Sequence, residues 1–565
     1  MRLRIATRES VIEREVEWEV ARLVIEELKK WRARFEPEGK TWRVEHLPCP
    51  VAKMLGAKAE CVEGRFYKNF FFYMAGWVDE RELKKKLCYK VTRYKRVGCE
   101  EYCAEKCADA DYFERCTERC EERCVEEEWE PVLKVQEDVC LYKIEDGQVR
   151  VPRGLALRLT KNVAYVELPE LDGFEGLRDY QAEVARSVWG QLRKVGAATV
   201  QMATGGGKSY MAGYLAAKLE KAGYNVVVTA LQLDLVYQLR DFAAKFGARP
   251  VAVTVQTLWN RLKEAGLVKG DWLSDAEGEE AEILKAYSDE SDDVHNIAEL
   301  FTGRKVAVVF DEVHHLPART VKTVAMLAGD GEALRIGLSA TPWRNDGRDL
   351  EIYAYTGDVV EPKISSSYLI RRGFAVPVVI RVVDAPRCPE AVGVGRGVQG
   401  WVAERRALAR CGARNKFIAR LAAAVEKPAL VITQLVSHAE ELGRVMREAG
   451  LRVRVVTGAV KGETRREIYE ELKSGLLDAV SSTFLADEGL DLPPLRTLII
   501  AMGGKSKTRT LQRVGRLVRP WPGKTVAYAY ELRDPGAEFS LSHLEERLAL
   551  YETEPAWVIE EHAKF

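Results

Sequence analysis

The chain has 565 residues, 47% of them hydrophobic and 30% charged, which is enough for three or more domains with ordinary cores and excludes a disordered protein. Lys plus Arg equals Asp plus Glu at 86 each, so the molecule as a whole advertises neither a polyanion nor an acidic partner, and any attraction to nucleic acid must be local. No stretch approaches the roughly 18 to 20 apolar residues that cross a bilayer, and the start MRLRIATRES lacks the apolar core of a signal peptide, so a cytoplasmic protein with no membrane partner is expected.

In chain order, residues 10 to 35 read as one amphipathic helix. Ser10 is placed to cap it, Glu13 to close a capping box, and Val16, Val20, Leu23, Val24 and Leu28 recur on one face. The aromatic run FYKNFFFYMAGW at 66–77 is too short to span a bilayer and reads as a buried core strand. Cysteines follow at Cys99, Cys103 and Cys107, then at Cys116, Cys120 and Cys124. Steps of four keep each triple on one helical face, and a turn near Asp109-Ala110-Asp111 makes two antiparallel helices that pair Cys107 with Cys116, Cys103 with Cys120 and Cys99 with Cys124.

Disulfides are the first reading of this ladder. Asn and Gln are scarce while Glu, Arg and Lys abound, a balance that hyperthermophile proteins favour, and intracellular disulfides are well attested among them. Zinc, recruiting Cys88 or Cys140, is the second reading because C-x₃-C lies within ligand spacing, and an iron–sulfur cluster is a distant third. Glu and Arg between the cysteines suit a solvated protrusion. Residues 88–140 are therefore expected to form an arm for recognition or partner docking, within an N-terminal accessory domain of residues 1–170 whose boundary is marked by Val151-Pro152-Arg153-Gly154.

A short apolar strand, Ala197 to Ala203, then opens onto a helix from Lys208 to Ala222 through ATGGGKS at 203–209. The run Gly205-Gly206-Gly207, with Thr204 before it, lets backbone N–H groups approach a phosphate chain without a Cβ in the way. Lys208 brings a point charge to the β and γ phosphates of ATP, and Ser209 offers a hydroxyl to Mg²⁺. Met202 stands where the strict G-x-x-x-x-G-K-[ST] pattern has its first glycine. Residues 269–302 are strongly acidic and contain no convincing strand, which reads as a solvated insertion or a gate competing with DNA for a basic cleft.

KVAVVF, closing at Phe310, looks like a buried parallel strand, and Asp311 and Glu312 follow at its C-terminal edge, where open α/β sheets place their chemistry. Asp311 is positioned to hold Mg²⁺ and Glu312 to polarise the attacking water; a helix N-cap is the bland alternative for the pair. His314 suits a relay of nucleotide state better than zinc, since no further His or Cys lies at ligand spacing. On a helix after TRT, Gln512, Arg516 and Arg519 share one face at i, i+4, i+7, which would deliver arginines across a cleft to the γ phosphate. Arginines from Arg371 to Arg420 enrich the entry to this last third, and Trp401 offers a stacking face, so the segment is either a strand-binding patch or a solvated surface.

These motifs have companions. LRDYQ at 177–181, GLSATPWRNDG at 337–347 and LADEGLDLP at 485–493, in order with those above, resemble the motif series of superfamily 2 helicases, and DEVHHLPA at 311–318 is similar to the XPB form. The likeness is to the XPB/Rad25-like or type III restriction-like group and covers residues 171 to about 551. It implies an α/β fold of two tandem RecA-like parallel-sheet domains, 171–372 and 373–565, behind the accessory domain, with ATP and Mg²⁺ between them. It further implies Arg178 and Gln181 on the adenine, Ser339 and Thr341 as coupling residues, and Gly489 and Asp491 beside the ribose and phosphate. Thr229, Thr254, Gly458 and Thr483 would contact a nucleic-acid backbone. The implied activity is that of an ATP-dependent DNA helicase or duplex translocase moving from 3′ to 5′. Alternatives are an RNA helicase or remodeller, or a motor subunit that drives a partner nuclease or repair complex.

Overall fold

Val226–Val228, Val306–Phe310 and Leu430–Ile432 are continuous apolar runs, the pattern of strands covered on both faces, and each lies inside a parallel sheet. The structure, a computed structural model, describes residues 2–6, 11–15, 18–30, 34–36, 40–43, 64–67, 71–75, 80–96, 99, 102–103, 117, 120, 132–145, 148–160, 163, 165–267, 305–315, 322–325, 332–343, 348–395, 397–458, 460, 462–483, 492–504 and 506–561.

Two sheets carry the larger compact unit, which comprises Phe66–Phe71, Val163–Trp343 and Tyr355–Phe565. In the first lobe β1 (Ala197–Gln201), β2 (Asn225–Ala230), β3 (Val251–Thr254), β4 (Val306–Asp311) and β5 (Leu334–Ser339) are all parallel, in the order β1-β5-β4-β2-β3. The second lobe has β6 (Val378–Asp384), β7 (Ala429–Thr433), β8 (Val453–Val456), β9 (Ala479–Thr483), β10 (Thr497–Ile500), β11 (Ala527–Arg533) and β12 (Trp557–Glu560). They too are parallel, in the order β8-β9-β7-β10-β11-β6-β12. The two lobes are the tandem RecA-like α/β domains expected. One continuous apolar cluster runs through both, from Val200 and Ile336 to Leu430 and Val514, so the cleft between them is floored by packed side chains.

Parallel neighbours need crossover segments, and helices supply them. Lys208–Lys221 follows β1, Leu233–Lys245 follows β2 and Lys507–Leu517 follows β10. Each therefore starts at the C-terminal edge of its sheet, where the helix N-terminus and strand end meet. The expected acidic insertion at 269–302 lies outside the described residues.

The second unit comprises Met1–Arg65, Phe72–Asn162 and Arg344–Ala354. The single helix expected over 10–35 is instead a strand, Val11–Glu15, followed by a helix, Trp18–Lys30, and a further strand, Arg34–Glu36. Alternating Val11, Glu13 and Glu15 fit a ladder with Arg2–Ala6, and tertiary pairing overrides the helical period there. Within the helix Ala21, Val24 and Leu28 are buried while Leu23 is exposed. Arg153 to Ala156 are buried in this unit as a 3₁₀ turn, so the stretch expected to mark the boundary lies inside it, and its second segment runs on to Asn162.

A β ribbon brackets the cysteine-rich segment in sequence. Cys88–Arg96 pairs antiparallel with Val132–Cys140, and a disulfide joins Cys88 to Cys140 at its base, which removes both from any zinc set. Cys103 is bonded to Cys120, the middle rung of the expected ladder. Cys99 is disulfide-bonded as well, while Cys107, Cys116 and Cys124 lie outside the described residues. No free cysteine and no His, Cys, Asp or Glu group suited to a metal occurs among the described residues.

Candidate active site

The glycine loop is stitched into the first sheet before it turns. Met202 N–H donates to Ser339 O at 2.9 Å and Ala203 N–H to Ile364 O at 2.7 Å. Gly205 and Gly207 then adopt φ of +83° and +87°, the left-handed region that favours glycine. Met202 is fully buried, and a Cβ on Gly206 would lie 2.5 Å from its Cγ. Thus the residue that departs from the strict pattern packs beneath the loop, and Gly206 is required by that packing. The Gly206 carbonyl accepts from Tyr180 Oη and from Gln181 Nε2, both at 3.0 Å. Gln181 Oε1 in turn accepts Arg178 N–H at 2.9 Å. Gln181, expected on the adenine, is 3% exposed and braces the loop, and Arg178 lies over the Phe374 ring at 4.6 Å.

At the end of β4, Glu312 has φ +50°, a strained state for a non-glycine residue that costs on the order of 1–3 kcal/mol. Its carboxylate faces the loop. Oε1 stands 3.0 Å from Lys208 Nζ, and Oε2 3.3 Å from His314 Nδ1. Burial alone would raise the Glu312 pKa, but Lys208 and His314 hold the carboxyl well below the usual range. Asp311 goes the other way: burial and the adjacent Glu312 charge push it up to about 6. Asp311 Oδ1 is buried without a hydrogen-bond partner among the described residues, which is the state of an oxygen suited to a cation. Ser209 Oγ donates to Gln238 Oε1 at 3.3 Å.

The second lobe closes the site. A cavity of about 360 Å³ is lined on one side by Thr204, Gly205, Gly207, Lys208, Ser209, Asp311, Glu312 and His314, and on the other by Gln512, Arg516 and Arg519. Gln512 and Arg516 share a face of helix Lys507–Leu517 as expected, whereas Arg519 lies beyond its end. Arg513 points into the core at 6% exposure. Burial pushes the Arg519 guanidinium down to about 10. Ser339 Oγ lies 3.2 Å from His314 Nδ1 and accepts Thr341 N–H at 2.9 Å, which places both residues expected to couple the lobes beside the acidic edge.

Tyr210, Leu235, Gln238 and Phe242, which also line the cavity, had no signal in the sequence. Only the packing of helix Leu233–Lys245 against helix Lys208–Lys221 brings three of them to the loop.

Other expected residues lie elsewhere. Thr229, Thr254 and Thr483 are buried at 1%, 0% and 3% exposure, and Thr254 Oγ1 caps its helix by accepting Thr257 N–H at 3.1 Å. Gly458 is exposed in a turn, and Gly489 and Asp491 lie outside the described residues. The arginine-rich segment is no single patch. Arg414 is buried in a pair with Asp534, Arg372 pairs with Asp179, Arg381 pairs with Glu560, and Arg405 stacks on Trp401 at 4.5 Å.

Comparison with known proteins gives two family matches. Residues 175–344 match the family described as Type III restriction enzyme, res subunit, and residues 413–520 match Helicase conserved C-terminal domain. A protein of Sulfolobus islandicus filamentous virus (isolate Iceland/Hveragerdi) named as a helicase is 29% identical over 67% of this chain and 69% of its own. One of Halobacterium salinarum named for the DNA 3′-5′ helicase Rad25 is 30% identical over 38% of this chain; the match spans only 34% of that relative's length. The DNA 3′-5′ translocase XPB2 of Sulfurisphaera tokodaii is 24% identical over 61% of this chain and 78% of its own.

Proposed function

The chain is a superfamily 2 helicase of the XPB-like or type III restriction-like kind, and from that premise we propose that it is an ATP-driven motor on DNA, translocating from 3′ to 5′ and separating strands or moving along duplex. One observation carries the reading. Lys208, Asp311 and Glu312 on the first lobe face Gln512, Arg516 and Arg519 on the second across one cavity.

Each group has a task there. Lys208 meets the β and γ phosphates, and Glu312, kept ionised by Lys208 and His314, orients the attacking water. Arg516 and Arg519 offset charge that spreads over the transferred phosphoryl group, a role in which such arginines are worth about 10³ to 10⁵ in rate. Ser209 and Asp311 would hold Mg²⁺, which would supply positive charge to offset that of the phosphates. Because the two halves of the site belong to different lobes, losing the γ phosphate removes what the arginines hold, and the lobes shift on the strand. The nucleic-acid contacts fall to backbone groups near Thr229, Thr254, Gly458 and Thr483, since three of these side chains are buried.

The names of the relatives support DNA over RNA as the track. A nuclease or repair complex as partner is supported by the restriction-enzyme and XPB likenesses, with the arm between Cys88 and Cys140 as its docking or recognition element. Three disulfides among the described residues support an origin at high temperature, and the compartment proposed is the cytoplasm.

ATP hydrolysis measured against single-stranded, duplex and forked DNA and matched RNA tests the reading. DNA should stimulate turnover more than RNA does. A chain whose hydrolysis ignores every polymer is not this motor, and a preference for RNA would replace the track. Removing 89–139 should leave basal ATPase intact while changing substrate preference.

A further inference from the structure

Lys524 is a buried lysine that bonds no carboxylate among the described residues. It is 5% exposed, and its ammonium donates to two backbone carbonyls, Pro493 O and Arg519 O, each at 3.0 Å. Lysine is almost never fully buried unless paired, because removing its charge from water is costly. Here the charges that act on it make matters worse. Burial first, then the cations Arg496 and Arg519, push the amine down to about 7.

What the lysine grips gives the arrangement a reason. Pro493 and Arg519 both line the nucleotide cavity, and Lys524 does not. Arg519 lies just past helix Lys507–Leu517, outside its regular hydrogen bonding, so the helix alone does not orient it. Its side chain runs over the glycine loop, with Cγ 3.5 Å from where a Cβ of Gly205 would stand. From Arg519 the chain reverses through Pro520-Trp521-Pro522-Gly523. Lys524 N–H donates to Trp521 O at 2.9 Å, and Gly523, at φ +73°, offers its carbonyl to Arg496 at 2.8 Å. The turn thus brings the ammonium back beneath the residue that opened it.

We propose that Lys524 is a positioning residue for ATP hydrolysis, clamping the backbone of Arg519 to that of Pro493 so that the Arg519 guanidinium is held over the glycine loop. The inference rests on the ATPase reading above and adds a residue that never touches nucleotide. A donor at this point fixes Arg519 to Pro493 within the second-lobe wall of the cavity. An apolar side chain would fill the space but take this donor away from both carbonyls and so weaken the hold on the Arg519 backbone.

The experiment compares wild type, Lys524→Met and Lys524→Arg in steady-state ATPase at saturating DNA, with thermal melting of each. Lys524→Met should lower kcat by roughly 10²-fold, the scale of an ångström's misplacement of a catalytic group. KM for ATP should stay within about twofold, because Arg519 acts in the transition state. Lys524→Arg, which keeps donors for both carbonyls, should recover most of kcat. A Met variant with wild-type kcat overturns the proposal, as does an Arg variant no faster than Met. A Met variant that fails to fold overturns it too, since the lysine would then hold the lobe and not the arginine. If wild type itself hydrolyses no ATP, the functional reading falls; if wild type is active and Lys524→Met matches it, only this inference does.

Discussion

Gln512 Nε2 donates to Thr341 Oγ1 at 3.5 Å, joining the arginine-bearing helix of the second lobe to the turn after β5 of the first. From Thr341 the contacts continue through Ser339 and His314 to Glu312 Oε2, so a polar series runs from one lobe to the Glu312 carboxylate of the other. At 3.5 Å the first bond is long, and catalytic bonds often tighten only with substrate in place. Thr341→Ala and Gln512→Ala should each reduce DNA-stimulated ATPase, and the double variant should lose less than the two together by about 0.5–3 kcal/mol of barrier. Strict additivity in that cycle would show the two residues act independently.

Lys208 and Glu312 form an ion pair, yet their variants should part company. Lys208→Ala should abolish turnover with nucleotide binding largely lost, since the lysine is the loop's charge for phosphate. Glu312→Gln should bind nucleotide nearly as wild type and slow hydrolysis by about 10² to 10⁴. Nucleotide titration beside single-turnover rates separates the two, and normal hydrolysis by both would refute the assigned roles.

Met202 should resist reversion to the glycine of the strict pattern. Its side chain fills the space below Gly206, and emptying a buried methionine site costs about 2–5 kcal/mol. Met202→Gly is expected to lower the urea midpoint and to weaken ATP binding through a looser loop. A variant as stable as wild type would mean the loop needs no support from below.

His438 should contribute to acid sensitivity. Nε2–H donates to Asn415 Oδ1, which is oriented by Asn415 Nδ2 bonding Ala409 O, and Nδ1 accepts from Thr433 Oγ1. Burial first, then the Arg414 charge, lower its pKa to about 3 from 6.5. Below 6.5 the unfolded chain takes up a proton that the folded one refuses. Stability from this group is therefore complete above pH 6.5 and is lost as pH falls toward 3, at up to about 1.4 kcal/mol per pH unit. Denaturant unfolding between pH 7 and 4 should show a shallower slope for His438→Gln; identical slopes would assign the acid response to other groups.

The lining of the candidate site was legible because it is local. Gly205 to Ser209, Asp311 with Glu312, and Gln512 with Arg516 each sit within a few residues of a strand end or on one helix, where short spacing decides geometry. The opening failed for the same reason in reverse. Val11–Glu15 carries a pattern compatible with helix, and its fate was set by Arg2–Ala6 and the ladder between them. Spacing proposed the Cys103–Cys120 bond, since two facing helices bring steps of four into register. Cys88 with Cys140 and Cys388 with Cys411 needed the backbone, because a ribbon and a loop around helix Gly397–Arg410 bring them together. Arg414 looked like part of a basic surface and is instead neutralised inside by Asp534, 120 residues on.

By itself, then, the order of residues determined that two α/β lobes would form and which side chains of the candidate site would come from each, since strand, loop and helix signals are read over a handful of positions. Only the tertiary structure decided what braces that machinery: Gln181 under Gly206, Gln238 beside Ser209, Lys524 beneath Arg519. Those contacts depend on how helices lie on sheets, and burial energy is summed over the whole core, so no short window of sequence contains it.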